Sequence, residues 1–162
     1  MGLEEDASKL AANPAFAVLE PEALRLIAFS AEKRSLHAGD VLFRRDELSS
    51  EGFVVLTGSV ALDSSGQGAA VARIVRPPGL IGELALLTQT RQPATAIARE
   101  PSTVLRISRH LFHRVLQEYP RSAERLRRNM SARLLQFAAE IGAVRRNRLT
   151  PLDGEEKEGS AG

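Results

Sequence analysis

The residues with the clearest chemical potential lie between positions 79 and 96. Gly79-Leu80-Ile81-Gly82-Glu83-Leu84-Ala85-Leu86-Leu87 is followed, after a short polar connection, by Thr90-Arg91-Gln92-Pro93-Ala94-Thr95-Ala96. A glycine-led turn that opens a short helix leaves several backbone N–H groups without intrahelical acceptors and aims them at an anion. The carboxylate of Glu83 only accepts hydrogen bonds, so it suits a hydroxyl donor and would repel a phosphate placed beside it. Taken alone, Gly82-Glu83 reads as a strand end with a favourable acid in the first helical turn. The full run through Ala94-Thr95 favours an anion pocket with a hydroxyl-reading carboxylate.

The surrounding chain has the pattern needed to hold such a turn. Leu3, Ala7, Leu10 and Ala11 fall at helical spacing before the breaker pair Asn13-Pro14, and a second helix starts at Glu20-Pro21, with Leu24, Ile27 and Ala28 on one side. From Arg34 to Ser108, short apolar runs alternate with Gly, Asp and Ser punctuation, the rhythm of compact antiparallel β-structure. The pattern predicts strands at Arg34–His37, Val41–Phe43, Gly52–Thr57, Ser59–Asp63, Ala70–Val75, Ala94–Ala98 and Ser102–Ile107. Turns are expected at Gly39, Gly58, Gly66-Gln67-Gly68 and Pro77-Pro78-Gly79. Ser108 is placed to cap a helix whose apolar face is Leu111, Phe112, Val115 and Leu116, ending at Tyr119-Pro120.

The cassette from Gly79 to Ala96, the helix-roll-helix order and the glycines at 39, 58, 79 and 82 resemble the cyclic-nucleotide-binding domain family of catabolite activators and protein kinase A regulatory subunits. The resemblance implies a mainly β fold, an antiparallel jelly-roll-like β-roll with N-terminal helices and a long C-terminal helix. The expected organisation is an N-terminal helix over 1–13, the β-roll over 14–120, the C-terminal helix over 121–148 and a disordered tail over 149–162. It also implies a sensor without catalytic activity. Glu83 would take the ribose 2′-hydroxyl, and the N–H groups of Leu84 and Ala85, beside Gly82, would face the phosphate.

One position departs from the family pattern. The arginine expected immediately before the small-small-hydroxyl triplet is Gln92, ahead of Pro93-Ala94-Thr95, and Arg91 sits one place early. A guanidinium forms bidentate, charge-assisted bonds to phosphate that an amide cannot reproduce. Two outcomes are open: Arg91 swings into the pocket, or the pocket binds weakly or not at all, and a chain that has lost its ligand serves as a dimerisation or interaction module. The candidate ligand-binding set is thus Gly82, Glu83, Leu84, Ala85, Arg91, Gln92, Ala94 and Thr95. Position 94 is alanine, so the hydroxyl that cGMP-preferring relatives tend to use beside the cassette arginine is absent; cAMP is the expected ligand over cGMP, with no cofactor.

Composition narrows the partners. The chain has 162 residues, 43% hydrophobic and 26% charged, with no cysteine, which excludes disulfides, thiol nucleophiles and Cys-ligated zinc. No stretch approaches the ~20 apolar residues of a membrane span and the N-terminus is acidic, so a cytoplasmic protein is expected. The formal charge is only +2, yet eight arginines lie between Arg121 and Arg148. They are spread around the helix with no further helix-turn-helix module, which argues against direct DNA contact and leaves a downstream protein as the unidentified partner. Met130, Leu134, Phe137, Ile141 and Val144 follow coiled-coil spacing, predicting a homodimer through the C-terminal helix; the competing arrangement lays that helix along its own barrel. The family resemblance also implies that this helix supplies some base contacts, with Asn129, Ser131 and Gln136 as polar candidates. His110 and His113 stand three apart on a helix but have no third ligand nearby, so they read as a wetted face.

Overall fold

A computed structural model describes residues 2–65 and 72–129. The Gly66–Gly68 turn, the start of the strand expected at Ala70, the seam from Met130 to Val144, the base-contact candidates Ser131 and Gln136, and the tail lie outside the described residues. The chain divides into two compact units, Met1–Leu126 and Arg127–Gly162.

Two helices lead in. α1 (Leu3–Ala12) carries Glu4, Glu5 and Asp6 in its first turn, where acids complement the helix dipole, and buries Ala7 and Leu10. α2 (Pro21–Ser30) has proline at its start, where the missing N–H is no loss, and buries Ala23, Leu24, Ile27 and Ala28.

The strands then follow in order: β1 (Glu32–Leu36), β2 (Val41–Phe43), β3 (Leu48–Ser49), β4 (Glu51–Thr57), β5 (Val60–Asp63), β6 (Arg73–Val75), β7 (Leu80–Ile81), β8 (Thr90–Arg91), β9 (Thr95–Ala98) and β10 (Ser102–Ser108). They form three antiparallel sheets, ordered β1-β10-β4-β7, β2-β9-β5-β6 and β3-β8. This is the mainly antiparallel β-roll with flanking helices that the sequence predicts. The two-residue strands β3, β7 and β8 lie outside the predicted set, because two residues are too few to show alternation. β1 also begins two residues early, at Glu32, where its pairing with Arg106 starts.

The core lies between the two larger sheets. Phe43, Phe53, Val55, Val60, Val75, Ile81, Ala96 and Val104 form one buried cluster, with the Phe43 and Phe53 rings 5.9 Å apart. β4 is buried at five consecutive positions, from Gly52 to Leu56, because α1 and the turn after β7 cover its other face. α3 (Arg109–Glu118) is capped as expected: the Ser108 hydroxyl accepts from the Leu111 N–H at 3.0 Å. Its Phe112 meets Phe16 edge to face at 6.0 Å, joining the α1–α2 connection to the far end of the roll. Residues 120–129 are helical, and the fully buried Ser122 hydroxyl accepts from the Glu20 N–H at 2.8 Å.

Candidate functional site

The cassette folds as its glycines dictate. The Gly79 N–H donates to the Arg76 carbonyl at 2.8 Å, closing the Pro77-Pro78 turn, and β7 then pairs with β4 through Ile81 and Phe53. At Gly82 the chain turns with φ of +81°, a conformation side chains disfavour, and a Cβ there would lie 3.1 Å from the Glu51 carbonyl. Leu84–Leu86 form a single 3₁₀ turn. Its bonds run from the N–H groups of Ala85, Leu86, Leu87 and Thr88, which leaves those of Glu83 and Leu84 outside the turn's own ladder. The Ala85 N–H, expected to face the ligand, donates to the Gly82 carbonyl at 3.1 Å.

The second half of the cassette is fastened to the β2–β4 connection. Leu48 pairs with Arg91, the Gln92 N–H donates to the Glu47 carbonyl at 2.8 Å, and the Asp46 N–H donates to the Gln92 carbonyl at 2.8 Å. Side chains alternate along this extended stretch: Arg91, Pro93 and Thr95 lie to the outside of Gln92, Ala94 and Ala96, which are buried. The Arg91 guanidinium reaches back and donates through Nη1 to the Asp46 carbonyl at 2.9 Å. Gln92 is only 4% exposed, so the neutral amide, not the guanidinium, holds the inward position.

These segments enclose a cavity of about 390 Å³. Gly82, Glu83, Leu84, Ala85, Arg91, Gln92 and Ala94 all line it. Thr95 stands apart from that lining, and its hydroxyl accepts from the Arg45 N–H at 3.0 Å. Glu83 is half-buried and makes no capping bond with its side chain in the 3₁₀ turn. Leu80 of the cassette and Phe43, Leu62 and Arg73 complete much of the wall, and the last three are not among the residues the sequence singles out. Phe43, Leu62 and Arg73 sit on β2, β5 and β6, whose pairing through β9 and β5 brings them to this face, and no motif marks them. The cavity thus offers an apolar floor, a carboxylate and two guanidiniums, a set suited to a flat apolar ring carrying hydroxyl and anionic groups. Among the described residues no group of three His, Cys, Asp or Glu is arranged to hold a metal, and no helix is long and apolar enough to cross a membrane.

Comparison with known proteins is consistent with this geometry. A family model described as the cyclic nucleotide-binding domain matches residues 33–119. Among solved structures, a cyclic nucleotide-binding-like protein from Brucella abortus is 36% identical with a TM-score of 0.63, covering 70% of this chain and 98% of that one. The N-terminal domain of a transcriptional regulator from Streptomyces coelicolor is 29% identical with a TM-score of 0.72, covering 82% of this chain and 94% of that one. Lysophospholipase nte1 of Aspergillus fumigatus is 31% identical over 102 residues, 62% of this chain, and the match spans 7% of that much longer protein.

Proposed function

This chain belongs to the cyclic nucleotide-binding domain family, and on that footing we propose that it is a cytoplasmic cyclic-nucleotide sensor, a regulatory binding module without a catalytic step of its own. The observation that carries the reading is a cavity that gathers Gly82 to Ala85 with Arg91, Gln92 and Ala94 from a separate stretch of chain. In this reading Glu83 accepts from the ribose 2′-hydroxyl and the N–H groups at the start of the 3₁₀ turn face the cyclic phosphate. The proposed ligand is cAMP, with cGMP as its competitor, since Pro93 and Ala94 offer no hydroxyl beside Arg91.

Binding regulates only if the ligand prefers one conformation of the protein. The C-terminal helix is the proposed responding element, and its apolar spacing from Met130 to Val144 supports a homodimer that presents the response to a downstream protein. Sedimentation of the chain and of its Leu134→Asp, Ile141→Asp variant tests the dimer: a dimer that survives both substitutions places the seam elsewhere.

Titration calorimetry of the full chain against cAMP and cGMP tests the sensor. Heat of binding with a rise in Tm is the expected result. No heat and no stabilisation at millimolar nucleotide would overturn it. The second reading, a fold that keeps its shape but has lost its ligand, would then stand on the buried amide of Gln92.

A further inference from the structure

Four residues make a straight row across the second sheet. Phe43 pairs with Ala96, Ala96 with Leu62, and Leu62 with Arg73. Directly opposed residues of an antiparallel ladder send their side chains to the same face. Phe43, Leu62 and Arg73 line the cavity, and Ala96 belongs to the core cluster beneath it. The row is apolar for three strands and ends, on the edge strand β6, in a guanidinium. Two strand spacings, about 10 Å, separate the Arg73 backbone from that of Ala96. The buried positions Gln92 and Ala94 continue the alternation of Ala96 and also line the cavity, so Arg73 faces the cassette across its floor.

The other groups of the cavity leave a charge unanswered. Arg91 is held by the Asp46 carbonyl at 2.9 Å, and Gln92 is buried but neutral. Among the described residues, no ion pair or hydrogen bond engages the Arg73 side chain. Of the parts of a cyclic nucleotide only the phosphodiester is charged, and a guanidinium in a partly enclosed site gains most from an opposite charge. We propose that Arg73 makes the charge-assisted contact to the cyclic phosphate, the task that the amide of Gln92 cannot perform. This assignment rests on the cavity being the nucleotide site.

The experiment is calorimetric titration of the full chain with cAMP and with cGMP, for the unaltered protein, Arg73→Met, and Arg73→Met combined with Gln92→Arg. Arg73 is exposed on an edge strand, so an unchanged circular dichroism spectrum is expected for Arg73→Met, and the spectrum of the double variant checks that a guanidinium fits at the buried Gln92 position. Because both nucleotides share the phosphate, Arg73→Met should weaken both by the same factor, about tenfold or more. Adding Gln92→Arg should recover most of that loss by supplying a guanidinium at the inward cassette position. Affinities unchanged by Arg73→Met would refute the assignment and leave the nucleotide site standing. A loss confined to one nucleotide would overturn it too, since Arg73 would then read the base edge. Absence of binding by the unaltered protein would remove the nucleotide site and the assignment together.

Discussion

Asn13 and Pro78 are 65 positions apart in the chain and joined by one hydrogen bond, from Asn13 Nδ2 to the Pro78 carbonyl at 2.8 Å. The same buried amide accepts from the Ala15 N–H through Oδ1 at 2.8 Å, so both of its ends are in use. Pro78 leads directly into Gly79, β7 and Gly82. The end of α1 is thereby fastened to the strand that delivers the cassette.

Asn13→Ala should therefore cost about 1–3 kcal/mol, because it leaves buried backbone groups without partners. Asn13→Asp keeps the acceptor for Ala15 but sets a buried carboxylate oxygen against the Pro78 carbonyl, so at neutral pH it should be the least stable of the three. Urea denaturation of the three proteins checks the order, and equal stabilities would mean that water replaces the amide without cost.

Gly82→Ala places a methyl group where φ is +81° and the Glu51 carbonyl would be 3.1 Å away. The left-handed conformation alone costs about 1–2 kcal/mol for an L-residue. The expected result is a Tm lowered accordingly, with nucleotide affinity lost more steeply than stability, since the turn that aims the backbone donors must shift. A variant that melts early yet binds normally would separate the glycine from the site.

Glu83→Gln retains the shape of the side chain and gives up its charge. Since a hydrogen bond to a charged acceptor exceeds a neutral one by roughly 1 kcal/mol, affinity for either nucleotide should fall by about fivefold. Removing the 2′-hydroxyl from the nucleotide should produce a similar loss in the native protein and a smaller one in the variant. If the two losses add in full, Glu83 does not touch the ribose.

Glu32 links pH to stability. The Arg34 guanidinium, hydrogen-bonded to Glu32 at 2.9 Å, holds this carboxyl below its ordinary value of 4.5, and Arg106 adds a second attraction. A carboxyl depressed in the folded state stabilises the protein above its unfolded value, and the contribution is lost as pH falls through the folded one. Glu32→Gln should thus be less stable than the native chain at pH 7, with the difference shrinking below pH 4.5. A gap that stays constant down to pH 2.5 would assign the effect of the substitution to packing.

The long elements could be read from sequence because several local signals agreed at each. α1 ends at the Asn13-Pro14 breaker, α2 starts at its proline, and Ser108 makes the capping bond its position suggested. The cassette was legible for the same reason, its glycines marking where the backbone must turn. Pairing partners were not. β3 and β8 exist only because residues 46–49 meet residues 90–92, and nothing in either stretch announces the other. The inward place of Gln92 and outward place of Arg91 follow from strand alternation, but which of the two phases applies depends on that pairing. Arg73 was invisible for the same cause, since it reaches the cavity through two ladders and carries no motif.

The pairing of Leu62 with Arg73 makes the register of two strands a chemical variable. A strand that slips by one residue turns every side chain to the opposite face. A slip of one residue between β5 and β6 would bring Ala72 or Ile74 opposite Leu62 and carry the guanidinium to the outer surface. Slips of two residues preserve the phase that slips of one reverse. The same local sequence would therefore gain or lose a cation in this cavity by the parity of its register alone, with every residue around the cavity unaltered.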